Sequence, residues 1–224
     1  MARTIAIGDI HGCDTALAAL LKAIAPARQD TLVTLGDVID RGPNSAGVLE
    51  LLLDLMSRCR LVPLIGNHEL MMFSGLNNRR EFDFWLQHGG SATMQSYGGD
   101  VRNIPQSHMS FLGHCLRHFE SANHFFVHAN YDWRLPYDQQ LDDVLFWQHI
   151  FEEVPPPHVS GKTAIIGHTP QNDGTVRNLG HAIIIDTGCY GEQWLTALDV
   201  ETGHLWQSNN RGQLRELDLP DAEA

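Results

Sequence analysis

Positive charge is scarce in this chain: 15 Lys and Arg stand against 27 Asp and Glu in 224 residues, a formal net charge of −12. No long run of like charge gathers the excess into a tail, so generic nucleic-acid binding, which needs cations against phosphates, is not expected. Cysteine is scarce too. Cys13, Cys59, Cys115 and Cys189 form no Cys-x-x-Cys pair and no dense framework, which argues against a secreted disulfide scaffold and for reduced thiols in a cytoplasmic protein. No apolar run reaches membrane-spanning length, and the chain enters Thr4-Ile5-Ala6-Ile7-Gly8 almost at once, so a charged and then apolar leader is not expected. Repeats and low-complexity linkers are also missing, so residues 1–224 are expected to form one domain. Such an acidic chain would repel phosphorylated ligands unless bound cations or a few arginines reverse the sign locally.

The apolar pattern alternates strand and helix periods in the first third. Residues 3–8, 31–35 and 61–65 read as strands, with helices over 14–24 and from 44 to about 56 between them. This βαβαβ rhythm implies parallel strands covered by helices. Residues 69–76, 91–97 and 107 to about 118 read as helices, and Gly89-Gly90 and Gly98-Gly99 as turns. Residues 124–127, 163–166, 182–185 and 193–200 read as strands in a second half that is mostly β, with a loop at Pro155-Pro156-Pro157 and a frayed acidic tail over 218–224.

Five polar clusters terminate apolar strands: Gly8-Asp9-Ile10-His11-Gly12, Gly36-Asp37-Val38-Ile39-Asp40-Arg41-Gly42, Gly66-Asn67-His68-Glu69, His128-Ala129-Asn130 and Gly167-His168-Thr169. Loops beyond the carboxyl ends of strands are where α/β sheets bind ligands, so the five could converge. Asp9 and His11 lie two apart, which in extended chain sends both side chains to one side. That pair alone is ambiguous, since a strand-end carboxylate also caps a following helix. With Asp37, Asn67, His128 and His168 it makes a mixed nitrogen and oxygen donor set without cysteine, suited to Mn, Fe or Zn rather than Ca or Mg. Two cations about 3.5–4 Å apart would clamp phosphate oxygens and lower the pKa of a bridging water to form a nucleophile.

These clusters, in this order, resemble the signature of the calcineurin-like metallophosphoesterases, and within them the phosphoprotein phosphatase branch, over residues 8–188. The resemblance implies an α/β fold of two packed mixed β-sheets flanked by helices, a four-layer sandwich. It also implies two divalent metal ions, Mn²⁺ first among them. Asp9 and His11 would hold the first, Asp37 would bridge, and Asn67, His128 and His168 would hold the second. His68 would be the general acid, Asp40 its orienting carboxylate, and Arg41 a phosphate clamp, because a guanidinium can grip two phosphate oxygens at once. The implied function is a serine/threonine-type phosphoprotein phosphatase acting on phosphorylated protein, peptide or small phosphoester, possessing broad phosphomonoesterase activity.

Two positions depart from that branch. Its protein phosphatases commonly carry arginine before the Gly-Asn-His-Glu motif, where this chain has Ile65, and after a Leu-Trp pair, where Gln148 and His149 follow Trp147. A second phosphate clamp is therefore in doubt, with His149, Arg134 and the Arg79-Arg80 pair as candidate replacements. The alternative function is a dinucleoside polyphosphate hydrolase of the diadenosine tetraphosphatase type. Those relatives usually lack an Asp at the Asp40 position and end the third motif in Asp, so Asp40 and Glu69 count against it. A catalytically inactive, metal-bound regulatory module is the reading from a different class. Elsewhere, His114 and His118 share a possible zinc-binding spacing on the expected helix. Trp133, Trp147, Trp194 and Trp206 read as buried packing, Cys13 and Cys189 as small packing groups, and Asp186 and Tyr190 as either a support around the metals or a strand-end turn.

Overall fold

The computed structural model describes residues 2–151 and 153–223. In chain order its regular elements are β1 (Thr4–Ile7), α1 (Asp14–Ile24), β2 (Thr31–Thr34), α2 (Ser45–Leu55), β3 (Arg60–Pro63), α3 (Asn67–Asn77), α4 (Arg79–Trp85), α5 (Ser91–Ser96) and α6 (Gln106–Gly113). There follow β4 (His118–Glu120), β5 (His124–Val127), α7 (Asp142–Trp147), β6 (Thr163–Ile166), β7 (Arg177–Asn178), β8 (Ala182–Ile184), β9 (Leu195–Asp199), β10 (His204–Ser208) and β11 (Leu214–Asp218).

Period-two alternation divides the strand side chains between layers. In β1, Ile5 and Ile7 pack under α1 and α2 with Leu17, Leu20, Leu21, Val48 and Leu52, while Ala6 points the other way. That opposite face joins Val33, Val62 and Leu198 to Phe126, Ile165 and Ile183 of a second sheet, so the two sheets share one apolar interior. The outer face of the second sheet, with Phe125, Val127, Ala164 and Ile166, is covered by Leu145 and Phe146 of α7 and by the irregular chain around Tyr131 and Ile150. The result is the expected sandwich of two mixed sheets flanked by helices, with a thin fourth layer.

One sheet runs β11-β10-β9-β1-β2-β3 and the other β4-β5-β6-β8-β7. Strands β1, β2 and β3 are mutually parallel, as are β5, β6 and β8. The carboxyl ends of the two sets are tied across the sheets: His128 Nδ1 donates to Leu35 O at 2.8 Å, and His168 N donates to Asp9 Oδ1 at 3.1 Å. One rim therefore collects the loops of both sheets.

Three expectations fail. The helix read over 107–118 stops at Gly113, because Leu116 turns to pair with β3 through Leu116 N to Pro63 O at 2.8 Å and Ile65 N to Leu116 O at 2.9 Å. His118 thus falls in β4, while the exposed His114 ring is bonded to Ser110 O, and the two do not share a helical face. The tail is not frayed: Glu223 pairs with Arg177 at 3.0 Å and its N–H reaches Asn178 O, whereas Ala224 lies outside the described residues. Nor are all four tryptophans buried, since Trp133 and Trp147 are about two-fifths exposed, at 41% and 39%. Among the described residues no helix is long and apolar enough to cross a membrane.

Candidate dinuclear metal site

Every motif residue reaches the rim from a parallel strand: Asp9 and His11 follow β1, Asp37, Asp40 and Arg41 follow β2, Asn67 and His68 open α3 after β3, and His128 and His168 follow β5 and β6. The extended-chain premise for Asp9 and His11 does not hold, because β1 ends at Ile7 and His11 has φ 46°. Asp37, Asp40, Arg41 and His168 also have positive φ, at 48°, 72°, 65° and 60°. Five non-glycine residues in left-handed backbone at one site mark a place where the fold holds strain to aim side chains.

At Asp37 that strain is held by Glu69. Its buried carboxylate accepts N–H bonds from Gly66 at 2.8 Å, Asp37 at 2.9 Å, Val38 at 2.9 Å and Ile39 at 3.3 Å, so one side chain closes the loop after β2 onto the start of α3. Burial first, and then the nearby Asp37 charge, push its carboxyl up to about 7, while the N–H groups favour the ionised form. Gly36 makes the approach possible: its φ is 98°, and a Cβ there would lie 2.7 Å from Gly66 N and 2.9 Å from His128 Nδ1.

Asp37 occupies the centre. Its Oδ2 lies 3.5 Å from His11 Nε2 and 3.9 Å from His68 Nε2, and its Oδ1 lies 3.5 Å from His128 Nε2. Two groups of donors, His11–Asp37–His68 and Asp37–His128–His168, each fit within 4.8 Å, all buried, and they share Asp37. The tautomers fit cations. His11 Nδ1 donates to Ile39 O at 3.0 Å and His128 Nδ1 donates to Leu35 O at 2.8 Å, which leaves an Nε2 lone pair on each ring facing inward. His128 Nε2 then stands 2.9 Å from Asn67 Oδ1, two acceptors face to face, an arrangement that a cation between or beside them resolves. Burial holds His11 well below the usual histidine range and pushes His168 down to about 3, so both rings are neutral, as ligation requires. Burial alone would raise Asp37, but His128, His68 and His11 hold its carboxyl below the usual range.

Asp9 is buried and turned toward the other sheet, accepting His168 N–H on both oxygens at 3.1 Å. Burial, Asp186 and Asp37 raise its pKa well above normal, and burial with Asp37 pushes Asp186 up to about 7. Three buried carboxylates therefore crowd a space whose nearest fixed cation is Arg41. Such a cluster becomes stable when multivalent cations join it. Arg41 is exposed, its Nη1 3.1 Å from His11 Nε2 and its guanidinium 4.7 Å from the Tyr190 ring, and it pairs with no carboxylate among the described residues. Apart from the Nη1–H directed at His11 Nε2, its donors are left for an anion.

Asp40 is fully buried and fully bonded: Oδ2 accepts from His68 Nδ1 and Trp85 Nε1, both at 2.8 Å, and Oδ1 accepts from Thr93 Oγ1 at 2.6 Å. Burial would lower the His68 pKa, but Asp37 and the hydrogen-bonded Asp40 carboxylate raise it above the usual histidine value. Glu69, Trp85 and Thr93 were not assigned roles from sequence. Glu69 stood in plain view inside a motif, whereas Trp85 sits on a helix of 7 residues, too short to establish a period by itself.

Of the candidate replacements for a second arginine, Arg134 and Arg79 are exposed and paired with Asp132 and Asp83. His149 is the one at the site, its ring stacked 4.1 Å from that of His168. Ile65 packs with the outer layer of the second sheet.

A strand-end site with two buried donor groups sharing a carboxylate, on a two-sheet sandwich, defines a metal-dependent phosphoesterase class. The chain belongs to the calcineurin-like phosphoesterases, whose family model matches residues 2–200. Among curated proteins it is 45% identical over 76 residues to one from Acidovorax ebreus named symmetrical bis(5'-nucleosyl)-tetraphosphatase, a match covering 33% of this chain and only 26% of that protein. Several others carry the same name. Serine/threonine-protein phosphatase 1 of Salmonella typhimurium is 39% identical over 88 residues, 38% of this chain and 37% of that protein. Among solved structures, one titled a putative diadenosine tetraphosphatase superposes with TM-score 0.69 at 21% identity, covering 99% of this chain and 95% of that one. At that identity the likeness is one of fold.

Replacing Glu69 by Gln should leave two of the four N–H groups facing an amide NH₂. Urea unfolding at pH 8 is expected to show a loss on the order of 3 kcal/mol, and a loss below about 0.5 kcal/mol would mean that the carboxylate does not hold the loop.

Proposed function

We propose that this protein is a hydrolase of dinucleoside polyphosphates, using two divalent cations, Mn²⁺ first among the candidates. The observation that carries this choice is the lone Arg41 in a carboxylate-rich pocket: Ile65 and Gln148 remove the positive charge that would grip a dianionic phosphomonoester. The tetraphosphatase names among the relatives support it, and reverse the order of the two enzyme readings reached from sequence. A phosphoprotein or broader phosphomonoester phosphatase remains the second reading, favoured by the complete Asp40–His68 pair, since an alkoxide leaving group needs more acid assistance than a nucleotide phosphate. The intact donor set weighs against an inactive regulatory module.

In this reading Asp9 and His11 hold the first cation, Asp37 is shared, and Asn67, His128 and His168 hold the second. Cations held there would supply positive charge at the phosphate oxygens and would lower the pKa of a bound water. His68 keeps its proton because Nδ1 donates to Asp40 and Asp37 lies beyond Nε2, so Nε2–H faces the pocket to protonate the leaving oxygen. Arg41, braced on Tyr190, binds non-bridging phosphate oxygens and complements the charge that grows in the transition state.

With Mn²⁺ supplied, kcat/KM is expected to be higher for diadenosine tetraphosphate than for a phosphoserine peptide, and the reverse order would give the function to the phosphatase reading. The protonated form of His68 is the active one, and its pKa is raised, so activity should fall as pH rises through a value above the ordinary histidine range. Asp40→Asn removes a charge that raises it, and the basic limb of the kcat profile with para-nitrophenyl phosphate should move to lower pH; a limb that stays in place would remove His68 from the acid role.

A further inference from the structure

The metal centre does not end at His168. The ring of His149 lies parallel to that of His168, 4.1 Å away and tilted by 15°, and the ring of Phe151 lies on His149 at 4.8 Å and 21°. Three stacked rings thus lead from the second donor group outward, and the last is bare: Phe151 is 61% exposed, although a phenyl ring in water forgoes on the order of 2 kcal/mol of burial. The segment is held in place from both sides. Ile150 N donates to Thr169 Oγ1 at 3.0 Å, and Arg177 Nη1 donates to Phe151 O at 2.9 Å. A groove of about 460 Å³ opens beside Phe151, lined by Pro170, Gln171, Asn172 and Arg177, within the size range of small-ligand sites. Asn172 makes no side-chain hydrogen bond among the described residues, and Gln171 spends its NH₂ on Thr169 O, which leaves amide groups free on the groove wall.

A fixed, exposed aromatic ring in line with the candidate metal centre, beside the Asn172 amide and the Gln171 carbonyl oxygen, has the composition of a nucleobase site: the ring meets the π-face of a base and the amides meet its edge. We propose that Phe151, stacked on His149, and the adjoining groove bind the base of a nucleotide whose phosphates sit at the metal centre. This rests on the reading that the substrate carries a nucleoside. It assigns His149 a use that replaces the missing arginine in position but not in chemistry: the ring carries the stack from His168 to Phe151 instead of clamping a second phosphate oxygen. A phosphopeptide has no flat ring at the corresponding distance from its phosphate in the general case, so the groove favours nucleotides over peptides.

The full chain loaded with Mn²⁺ tests this with two variants and two probe pairs. Phe151→Ala should raise KM for diadenosine tetraphosphate about tenfold more than it raises KM for para-nitrophenyl phosphate, the size of one base–aromatic stack, and Phe151→Trp should restore the discrimination. Parallel inhibition assays with para-nitrophenyl phosphate as substrate compare adenosine 5′-monophosphate with ribose 5-phosphate. The nucleotide should inhibit at the lower concentration in the wild type, and Phe151→Ala should erase the difference. Equal inhibition by the two in the wild type, or a preference that survives Phe151→Ala, overturns the base site. Failure to hydrolyse diadenosine tetraphosphate with a base preference intact would overturn the proposed substrate while leaving the base site standing.

Discussion

The placement of the Asp37 carboxylate is the constraint to which the loops around it conform. To sit between His11 and His68 on one oxygen and His128 on the other, it must leave a left-handed backbone at the end of β2, a conformation that costs a residue with a Cβ on the order of 1–3 kcal/mol. The surrounding structure offsets that cost through hydrogen bonds that close on the bent loop. Glu69 binds the N–H groups on both sides of the bend, His68 N donates to Asp37 Oδ1 at 3.0 Å, and Gly36 and Gly66 let the two loops come within contact. The same constraint explains why two sheets are needed. One sheet can bring Asp37 to the rim, but His128 and His168 come from the other, and the apolar layer between Ala6, Val33, Phe126 and Ile165 sets their distance.

Electrostatics then favours a binuclear centre over either a dry or a hydrated one. Asp9, Asp37 and Asp186 are buried within mutual reach, and desolvation raises two of them well above the carboxylate range. Without cations the cluster must take up protons or pull the chain apart. The histidines answer the same problem from the other side, since burial lowers the pKa of His11 and His168, while His68, bonded to Asp40, is biased toward the charged form. Imidazoles in one pocket are thus separated in protonation by burial and by the second carboxylate, Asp40, that His68 touches, which under the proposed reading would let one residue type serve as both ligand and acid.

Much of this was legible in the sequence because the chemistry needs particular residues at strand ends, and apolar strands announce their ends. The helix at Asp14–Ile24 and the strands at His124–Val127 and Thr163–Ile166 fall where the period places them, since each buries a regular face. The donor residues fall at the rim for the same reason. What was not legible depends on tertiary contact. The chain after Gly113 abandons its helical period because the free edge of β3 offers Leu116 a partner. The indole of Trp85 and the hydroxyl of Thr93 reach Asp40 across more than forty residues, and no local pattern encodes that meeting. The exposure of Trp147 and Phe151 likewise follows from the path of the loop over the second sheet, not from composition.

The central claim is that two cations share Asp37. The most direct measurement is a crystal of the full chain soaked in MnCl₂, with anomalous difference density collected at the manganese edge. Two peaks about 3.5–4 Å apart on either side of the Asp37 carboxylate, one beside His11 and one beside His128, His168 and Asn67, are the result expected of a two-metal centre. A single peak, or two peaks neither of which contacts Asp37, would contradict it.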